Sequence, residues 1–230
     1  TMVITASQGA DGFTSNDATL SLTFTSNEAT SNFAVGDISV SNGAISSFAA
    51  TSTTVYTATF TPTADGATTI DVGATYTDAA GNANTAATQF NWVQDDTKPT
   101  MTITASQGAD GLTSNDAALT LTFTSNEATA TFAVGDISVS NCALSDFAVT
   151  STTVYTATCT ATADGATTID VGAGGFTDAV GNTNSAATQF NWLQDDTGPT
   201  MTITASQGAD GLTSNDAALS LTFTSSEATS

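Results

Sequence analysis

Short stretches in which apolar and polar residues alternate, separated by turn-forming residues, run through the whole chain. The segment LSLTFT at positions 20–25, for example, places Leu20, Leu22 and Phe24 on one face. A period of two predicts half-buried strands, and no segment keeps the period of an α-helix. The predicted strands of the first hundred residues are 2–6, 20–25, 33–35 continuing into 38–40 after a bulge at positions 36 and 37, 44–49, 55–61, 68–74 and 88–92. Seven or so short strands in about 100 residues indicate an all-β sandwich.

The same pattern returns along the chain. The stretch NWVQDDTKPTMTITA at 91–105 recurs as NWLQDDTGPTMTITA at 191–205, so that Thr1 aligns with Thr100 and Thr200. An aromatic strand end, an acidic elbow, a proline and a new strand mark a junction between copies of one module. We therefore expect tandem β-sandwiches arranged end to end: residues 1–99, residues 100–199, and residues 200–230 as the first strands of a third, incomplete module.

Differences between the two copies point to the core. Phe90 and Trp92 are predicted to share the core face of the last strand. Three further positions change conservatively between apolar residues and are predicted to be core positions: Ile45 to Leu144, Tyr76 to Phe176, and Val93 to Leu193. Val3 instead becomes Thr102, which predicts that this position faces solvent.

The charge balance is extreme, with 22 acidic residues against one basic residue, Lys98, and no histidine. Nucleic-acid binding is excluded because phosphate contacts need lysine and arginine, and an anionic membrane surface is disfavoured for the same reason. No apolar run approaches the roughly 20 residues that cross a bilayer, so this segment is not expected to insert into a membrane. Without histidine, the common nucleophilic systems and zinc sites are missing, and we expect no enzyme activity.

The two cysteines arrive together in the second copy. Cys142 stands where the first copy has Gly43, and Cys159 stands where it has Phe60. A hairpin turn near positions 150–151 would place the cysteines directly opposite each other, within reach of a disulfide. The alternative is two unrelated buried thiols. A disulfide favours an oxidising, extracellular compartment.

The acidic residues sit mostly in turns beside glycine or asparagine. Aspartate is common in turns for local conformational reasons, and that explains one or two per module. It does not explain why almost no cation balances them. Calcium would do so, because it takes six to eight oxygen ligands from carboxylates, amides, carbonyls and water. The candidate ligands are the elbow Asp95–Asp96 and the loop from Asp78 to Asn82, with Asp11 or Glu28 approaching from another loop.

A resemblance sharpens this expectation. The runs LTFTSNEAT, GDISVSN, VYTATFTPTADG, TDAAGN and DDT-x-P resemble the bacterial Ig-like repeats of giant surface adhesins, including the calcium-rigidified extenders of ice-binding and biofilm adhesins. The resemblance implies that the tandem modules are Ig-like Greek-key sandwiches. In those families the modules act as extenders, and many bind Ca2+ within or between modules. The resemblance implies calcium ligands at Asp78, Asn82, Asp95, Asp96, Asp178, Asn182, Asp195 and Asp196, and the residue pattern adds Asp11, Glu28, Asp110 and Glu127 as further candidates.

The sequence therefore predicts a stiff spacer segment of an extracellular repeat adhesin or surface fibre, rigidified by calcium. Its partners would be neighbouring modules or other copies of itself. Two alternatives remain open. In the first, the chain is a filament subunit whose incomplete third module is completed by a neighbouring chain through strand addition. The second, a carbohydrate-binding module, predicts an exposed aromatic cluster, and the aromatic residues here alternate inward.

Overall fold

The computed structural model describes residues 1–228, and in it each of the first two repeats forms a sandwich of two four-stranded sheets. The strands of the first module are β1 (Met2–Ala6), β2 (Phe13–Ser15), β3 (Leu20–Ser26), β4 (Ile38–Val40), β5 (Gly43–Ala50), β6 (Val55–Pro62), β7 (Gly66–Val72) and β8 (Phe90–Gln94). Those of the second are β9 (Met101–Ala105), β10 (Leu112–Ser114), β11 (Ala118–Ser125), β12 (Ile137–Ser140), β13 (Cys142–Val149), β14 (Val154–Ala161), β15 (Gly165–Val171) and β16 (Phe190–Gln194).

Strand order is the same in both modules. One sheet runs β1-β3-β6-β5 and the other β2-β8-β7-β4, and the second module repeats these orders as β9-β11-β14-β13 and β10-β16-β15-β12. All pairs are antiparallel except β2 with β8 and β10 with β16, which are parallel. This is the Greek-key order of an Ig-like sandwich, as the alternating pattern predicts.

The core of each module lies between its two sheets. Leu20, Leu22 and Phe24 of β3 are buried against the opposite sheet, because their side chains all point to one face of the strand. Trp92 is fully buried, and its indole nitrogen donates a hydrogen bond to the Ser15 hydroxyl at 3.1 Å. Pairing of the indole N–H lets a large aromatic ring sit in the core without an unsatisfied donor.

Two local predictions in the first module were wrong. Residues 33–35 are not a strand; Val35–Asp37 forms one turn of 3-10 helix, held by the Asp37 carboxylate, which accepts a hydrogen bond from the Ala34 amide at 2.8 Å. The bulge lies instead in β5, between Ser46 and Ala49. The second module has the same 3-10 turn, and no helix within residues 1–228 is long and apolar enough to cross a bilayer.

The short strand β2 was missed, and the last strand was placed two residues too early. Three residues are too few to show a period, and β2 is defined only by its parallel pairing with β8. In β8, which extends to Gln94, Val93 lies between two buried positions and therefore points away from the core. Val93 is 37% exposed, and its counterpart Leu193 is 46% exposed. The prediction that these two positions are core was therefore wrong, whereas the exposure of Val3 is confirmed.

The cysteines of the second module form a disulfide between β13 and β14. The prediction that the two cysteines lie directly opposite each other was wrong, because Cys142 pairs with Ala161 and Cys159 pairs with Leu144. The turn is centred near position 152, with Val149 opposite Tyr155, and the bulge between Ser145 and Ala148 recovers only one residue of that shift from the predicted turn, so the bridge runs diagonally across the two strands. The α-carbons are nevertheless 5.7 Å apart, within the usual range for a disulfide.

The third repeat contributes a two-stranded antiparallel hairpin of β17 (Met201–Ala205) and β18 (Leu221–Ser225). Its apolar face is open to solvent: Ile203 is 60% and Phe223 61% exposed, whereas their counterparts Ile103 and Phe123 are buried. The last two residues of the predicted third module, 229 and 230, lie outside the described residues.

Candidate metal centre

Three carboxylates from two modules converge where the modules meet. Asp95 lies in the elbow that follows β8, Glu127 follows β11, and Asp178 lies in the loop between β15 and β16. One carboxylate oxygen from each residue lies within 4.8 Å of those of the other two. Two ligands that bind the same calcium ion at roughly 2.4 Å lie at most about 4.8 Å apart. The spacing therefore fits one shared cation.

Asp178 is held in place by its own loop. Its Oδ1 accepts hydrogen bonds from the amides of Val180, Gly181 and Asn182 at 2.9, 2.7 and 2.8 Å. The side chain of Asn182 donates to its Oδ2 at 2.9 Å. The turn needs glycine at position 181, where φ is 97°. These bonds fix the orientation of the Asp178 carboxylate.

Glu127 is partly buried and faces the two other carboxylates of the cluster. Its Oε1 is buried and has no hydrogen-bond partner. Burial raises the pKa of the Glu127 carboxyl above its ordinary value, and the neighbouring charges of Asp95 and Asp178 raise this pKa further. A buried oxygen without a donor is costly, so this atom has unused capacity to bind a cation.

Direct hydrogen bonds also join the two modules at this point. The Asn16 side chain donates to Asn182 Oδ1 at 3.0 Å, and Asn182 Nδ2 donates to the Asp95 carbonyl at 2.9 Å. The Ser185 amide donates to the Pro99 carbonyl at 2.9 Å. The Asn182 side chain therefore donates both to the Asp178 carboxylate and to the Asp95 backbone carbonyl, and its oxygen accepts the hydrogen bond from Asn16.

The first module carries the same residues on its corresponding face, but without an elbow packed against them. Asp78 has a similar cage, with bonds from the Ala80 and Asn82 amides at 2.9 and 2.8 Å and from the Asn82 side chain at 2.7 Å. The two bonds from Asn82 are the main reason the Asp78 pKa is lowered. Asn82 and Glu28 are exposed there, whereas Asp178 and Asn182 are each only 5% exposed. The junction itself buries the second copy of the site.

The remaining predicted ligands lie elsewhere. Asp11 accepts two hydrogen bonds from Asn91, and Asp110 does the same with Asn191, so these acids tie the 10–12 turns to the last strands. The backbone of Asp96 is bound by Asp65, and that of Asp196 by Asp164. Within residues 1–228, neither these acids nor Asp195 belongs to a group of three.

Asp65 and Asp164 were not among the predicted site residues. A signal for them exists in the topology: β7 pairs with β8 so that Gly66 lies opposite Gln94. The residue before Gly66 must then lie beside the residues after Gln94, which are the elbow. Sequence reasoning missed this because it did not assign the register between these two strands.

A likeness to known proteins extends over most of the chain. A family model described as Bacterial Ig-like domain matches residues 1–93 and again residues 95–193. No curated protein sequence matches the chain significantly.

Solved structures of similar fold include InvD of Yersinia pseudotuberculosis, with 17% identity and a TM-score of 0.38, covering 89% of this chain and 62% of that one. The Yersinia pseudotuberculosis adhesin InvE has 14% identity and a TM-score of 0.28, with coverages of 85% and 58%. The SGBP-B protein of the Bacteroides ovatus mixed-linkage glucan utilization locus, solved with a mixed-linkage heptasaccharide, has 15% identity and a TM-score of 0.25, with coverages of 86% and 48%.

The chain thus spans from about half to about three fifths of the length of these structures, and likeness at this level says nothing about function. The family match is of a different kind, because it covers both sandwiches nearly in full. It confirms the resemblance that the repeated motifs indicated. Because the family model matches twice in succession and each match has the Greek-key strand order, this chain belongs to the bacterial Ig-like domain family.

Proposed function

We propose that this chain is a spacer segment of an extracellular adhesin or surface fibre, and that Ca2+ bound between consecutive modules stiffens it. The observation that carries the proposal is the convergence of Asp95, Glu127 and Asp178 from both sides of one junction. A cation held by all three would cross-link the two modules through their charged side chains. The function is then mechanical: the bound ion limits bending of the elbow.

The chemistry of the donors favours calcium over other metals. The converging ligands are carboxylates, the chain has no histidine, and both cysteines are in the disulfide. Hard oxygen donors select Ca2+ or Mg2+ and disfavour zinc and copper. Mg2+ needs a near-ideal octahedron, whereas Ca2+ accepts an irregular set completed by carbonyls and water. Three carboxylates that come from three different loops form an irregular set, which suits Ca2+ better.

Electrostatics explains why the ion would matter for stiffness. Without a cation, three carboxylates within a few ångströms repel one another across the junction, and burial together with this repulsion raises the pKa of Glu127. The three intermodule hydrogen bonds oppose this repulsion, but a typical hydrogen bond contributes only about 1 kcal/mol net. A divalent cation would convert the repulsion into attraction on both sides of the joint.

The test compares matched variants of the same chain. Glu127→Gln removes a ligand at the junction, and Glu28→Gln makes the same change at the equivalent position of the first module, where no elbow is packed. We expect calorimetric titration with Ca2+ to show a site that Glu127→Gln weakens by at least tenfold and that Glu28→Gln leaves unchanged. Scattering should show a narrower range of particle dimensions with calcium than with chelator.

Two results would refute the proposal. Absence of calcium binding at millimolar concentration would remove the ion from the mechanism and leave the acids a role in solubility. Equal effects of the two glutamine variants would mean that any binding is diffuse surface association. Either result would leave the assignment to the Ig-like family untouched, because that rests on the strand order and the family match.

A second candidate function is favoured by the open face of the β17–β18 hairpin. Met201, Ile203, Leu221 and Phe223 are each more than half exposed, whereas the equivalent residues of the second module are buried by the rest of their sandwich. Strands donated by a neighbouring copy would cover this face and link chains into a filament. Sedimentation over a wide concentration range tests this: self-association abolished by Phe223→Ser supports it, and a monomer at every concentration rejects it.

A further inference from the structure

One carboxylate outside the cluster holds the elbow that carries Asp95. Asp65, in the turn before β7, accepts a hydrogen bond from the Asp96 amide at 2.8 Å on Oδ1. Its Oδ2 accepts a second from the Thr97 hydroxyl at 2.6 Å. A single carboxylate therefore binds two consecutive residues of the elbow, immediately after Asp95.

The turn that presents Asp65 is itself tied down. The Asn42 side chain donates to the Ala64 carbonyl at 2.8 Å and accepts from the Thr63 hydroxyl at 3.1 Å. Asn42 adopts a left-handed conformation, with φ of 51°, in the turn between β4 and β5. The position of Asp65 is thus fixed by contacts between two turns of the first sandwich and does not depend on the second module.

The second module repeats this arrangement in a different context. Asp164 accepts from the Asp196 amide at 3.0 Å and from the Thr197 hydroxyl, and Asn141 donates to the Ala163 carbonyl at 2.9 Å. The hydrogen bond from the Thr197 hydroxyl is the main reason the pKa of Asp164 is lowered. Here only a hairpin follows the elbow in place of a full sandwich. The contact therefore belongs to the module that precedes the elbow.

Asp95 lies between two fixed points as a result. Its own amide donates to the Ser15 carbonyl at 3.1 Å, and the next amide, that of Asp96, donates to Asp65. Two consecutive peptide groups anchored to one body leave little freedom in the direction of the side chain between them. That direction brings the Asp95 carboxylate to Glu127 and Asp178.

We infer that Asp65, together with Thr97, is a positioning residue of the junction: it clamps the elbow to the first module so that Asp95 is presented to the second. Asp164 and Thr197 would do the same at the next junction. The link to cation binding rests on the proposed function, whereas the clamp on the elbow does not. Side chains that orient metal ligands from behind typically change metal affinity by roughly 10- to 100-fold when removed.

The experiment uses the full chain and four variants. Asp65→Ala and Thr97→Val remove the two sides of the clamp, and Thr97→Ser keeps the hydroxyl. Asp71→Ala is the charge-matched control, since Asp71 lies away from the elbow and accepts its hydrogen bonds from Gln89, just before β8. Residual dipolar couplings measured without calcium report how closely the alignments of the two sandwiches agree, relative to the unaltered chain, and calorimetry reports the Ca2+ affinity.

We expect Asp65→Ala and Thr97→Val to make the alignments of the two modules differ more than in the calcium-free unaltered chain, and to weaken Ca2+ binding about tenfold. Thr97→Ser and Asp71→Ala should behave like the unaltered chain. The indole signal of Trp92 should show that the first module stays folded in each variant. An alignment difference in both clamp variants that is no larger than in the unaltered chain overturns the inference. If the unaltered chain binds no Ca2+, the proposed function fails, and the alignment comparison still decides whether the clamp exists.

Discussion

The disulfide of the second module and a phenylalanine of the first are alternative ways to fill one place in the sandwich. A β-carbon added to Gly43 would lie 2.1 Å from Cζ of Phe60, so the glycine leaves room for the ring. In the second module the same pair of positions carries Cys142 and Cys159. We therefore predict that the two positions are strongly coupled, and that exchanging both at once is far less damaging than exchanging either alone.

The magnitudes follow from the two local structures. The disulfide spans 17 residues, for which restriction of the unfolded chain is worth about 3 kcal/mol. Phe60 is fully buried and meets Trp92 edge-on at 5.9 Å. Burial of such a ring contributes about 2–3 kcal/mol, with about 1 kcal/mol more from the aromatic pair. Replacing Cys142 by glycine and Cys159 by phenylalanine together should change the free energy of unfolding by about 1 kcal/mol or less.

The single changes should be much worse. Cys142→Gly loses the bridge, at about 3 kcal/mol. Cys159→Phe loses the bridge and also forces a ring against the Cys142 side chain, and overpacking of this kind adds about 1–3 kcal/mol. If the effects were independent, the double change would cost about 7–9 kcal/mol. The predicted coupling between the two positions is therefore several kcal/mol.

The assay is urea unfolding followed by NMR, because each module has one tryptophan whose indole N–H is buried and bonded to a serine. The Trp192 signal reports the second module, and the Trp92 signal is an internal control. Reduction of the unaltered chain should destabilise only the second module, by about 3 kcal/mol. Additive single and double changes, or an equal shift at Trp92, would refute the packing argument.

Three smaller predictions concern single groups. Because the pKa of Glu127 is raised, calcium affinity should fall as the pH drops through that raised pKa, which calorimetry between pH 4 and 8 tests. Without calcium, Glu127→Gln should stabilise the junction at pH values above the raised pKa and make no difference at pH values below the ordinary pKa of about 4.5, which thermal unfolding over the same range tests. Asp11→Ala should lower the stability of the first module by about 1 kcal/mol, because it removes two hydrogen bonds from Asn91, as urea unfolding would show. Tyr76→Phe should leave stability unchanged or raise it by about 1 kcal/mol, because the Tyr76 hydroxyl is buried without a partner and the second module already has Phe176; a loss above 1 kcal/mol would contradict this.

Much of this protein follows from the sequence alone, because a strand shows its buried face directly in the alternation of residues. That alternation identified β1, β3 and β6 and their inward side chains, and the recurrence of the elbow located the modules. It failed where the period is too short to be seen, as in β2, and where a local hydrogen bond competes, as at Asp37 in the 3-10 turn. The disulfide partners were named, but their diagonal register was not, since the polar run at 150–153 does not show where the turn is centred and the bulge leaves no clear mark in the pattern.

The candidate site shows most clearly what the sequence determines and what the tertiary structure decides. The sequence determined which residue types were available: turn-borne acids in every module, with almost no cation to balance them. Only the tertiary structure decided which acids meet, by packing the elbow of one module against two loops of the next. Asp95 and Asp96 are adjacent in the chain, yet one faces the neighbouring module and the other has its amide bound by Asp65. The physical reason is that residues up to 83 positions apart become neighbours only through strand pairing and module packing, which local periodicity does not record.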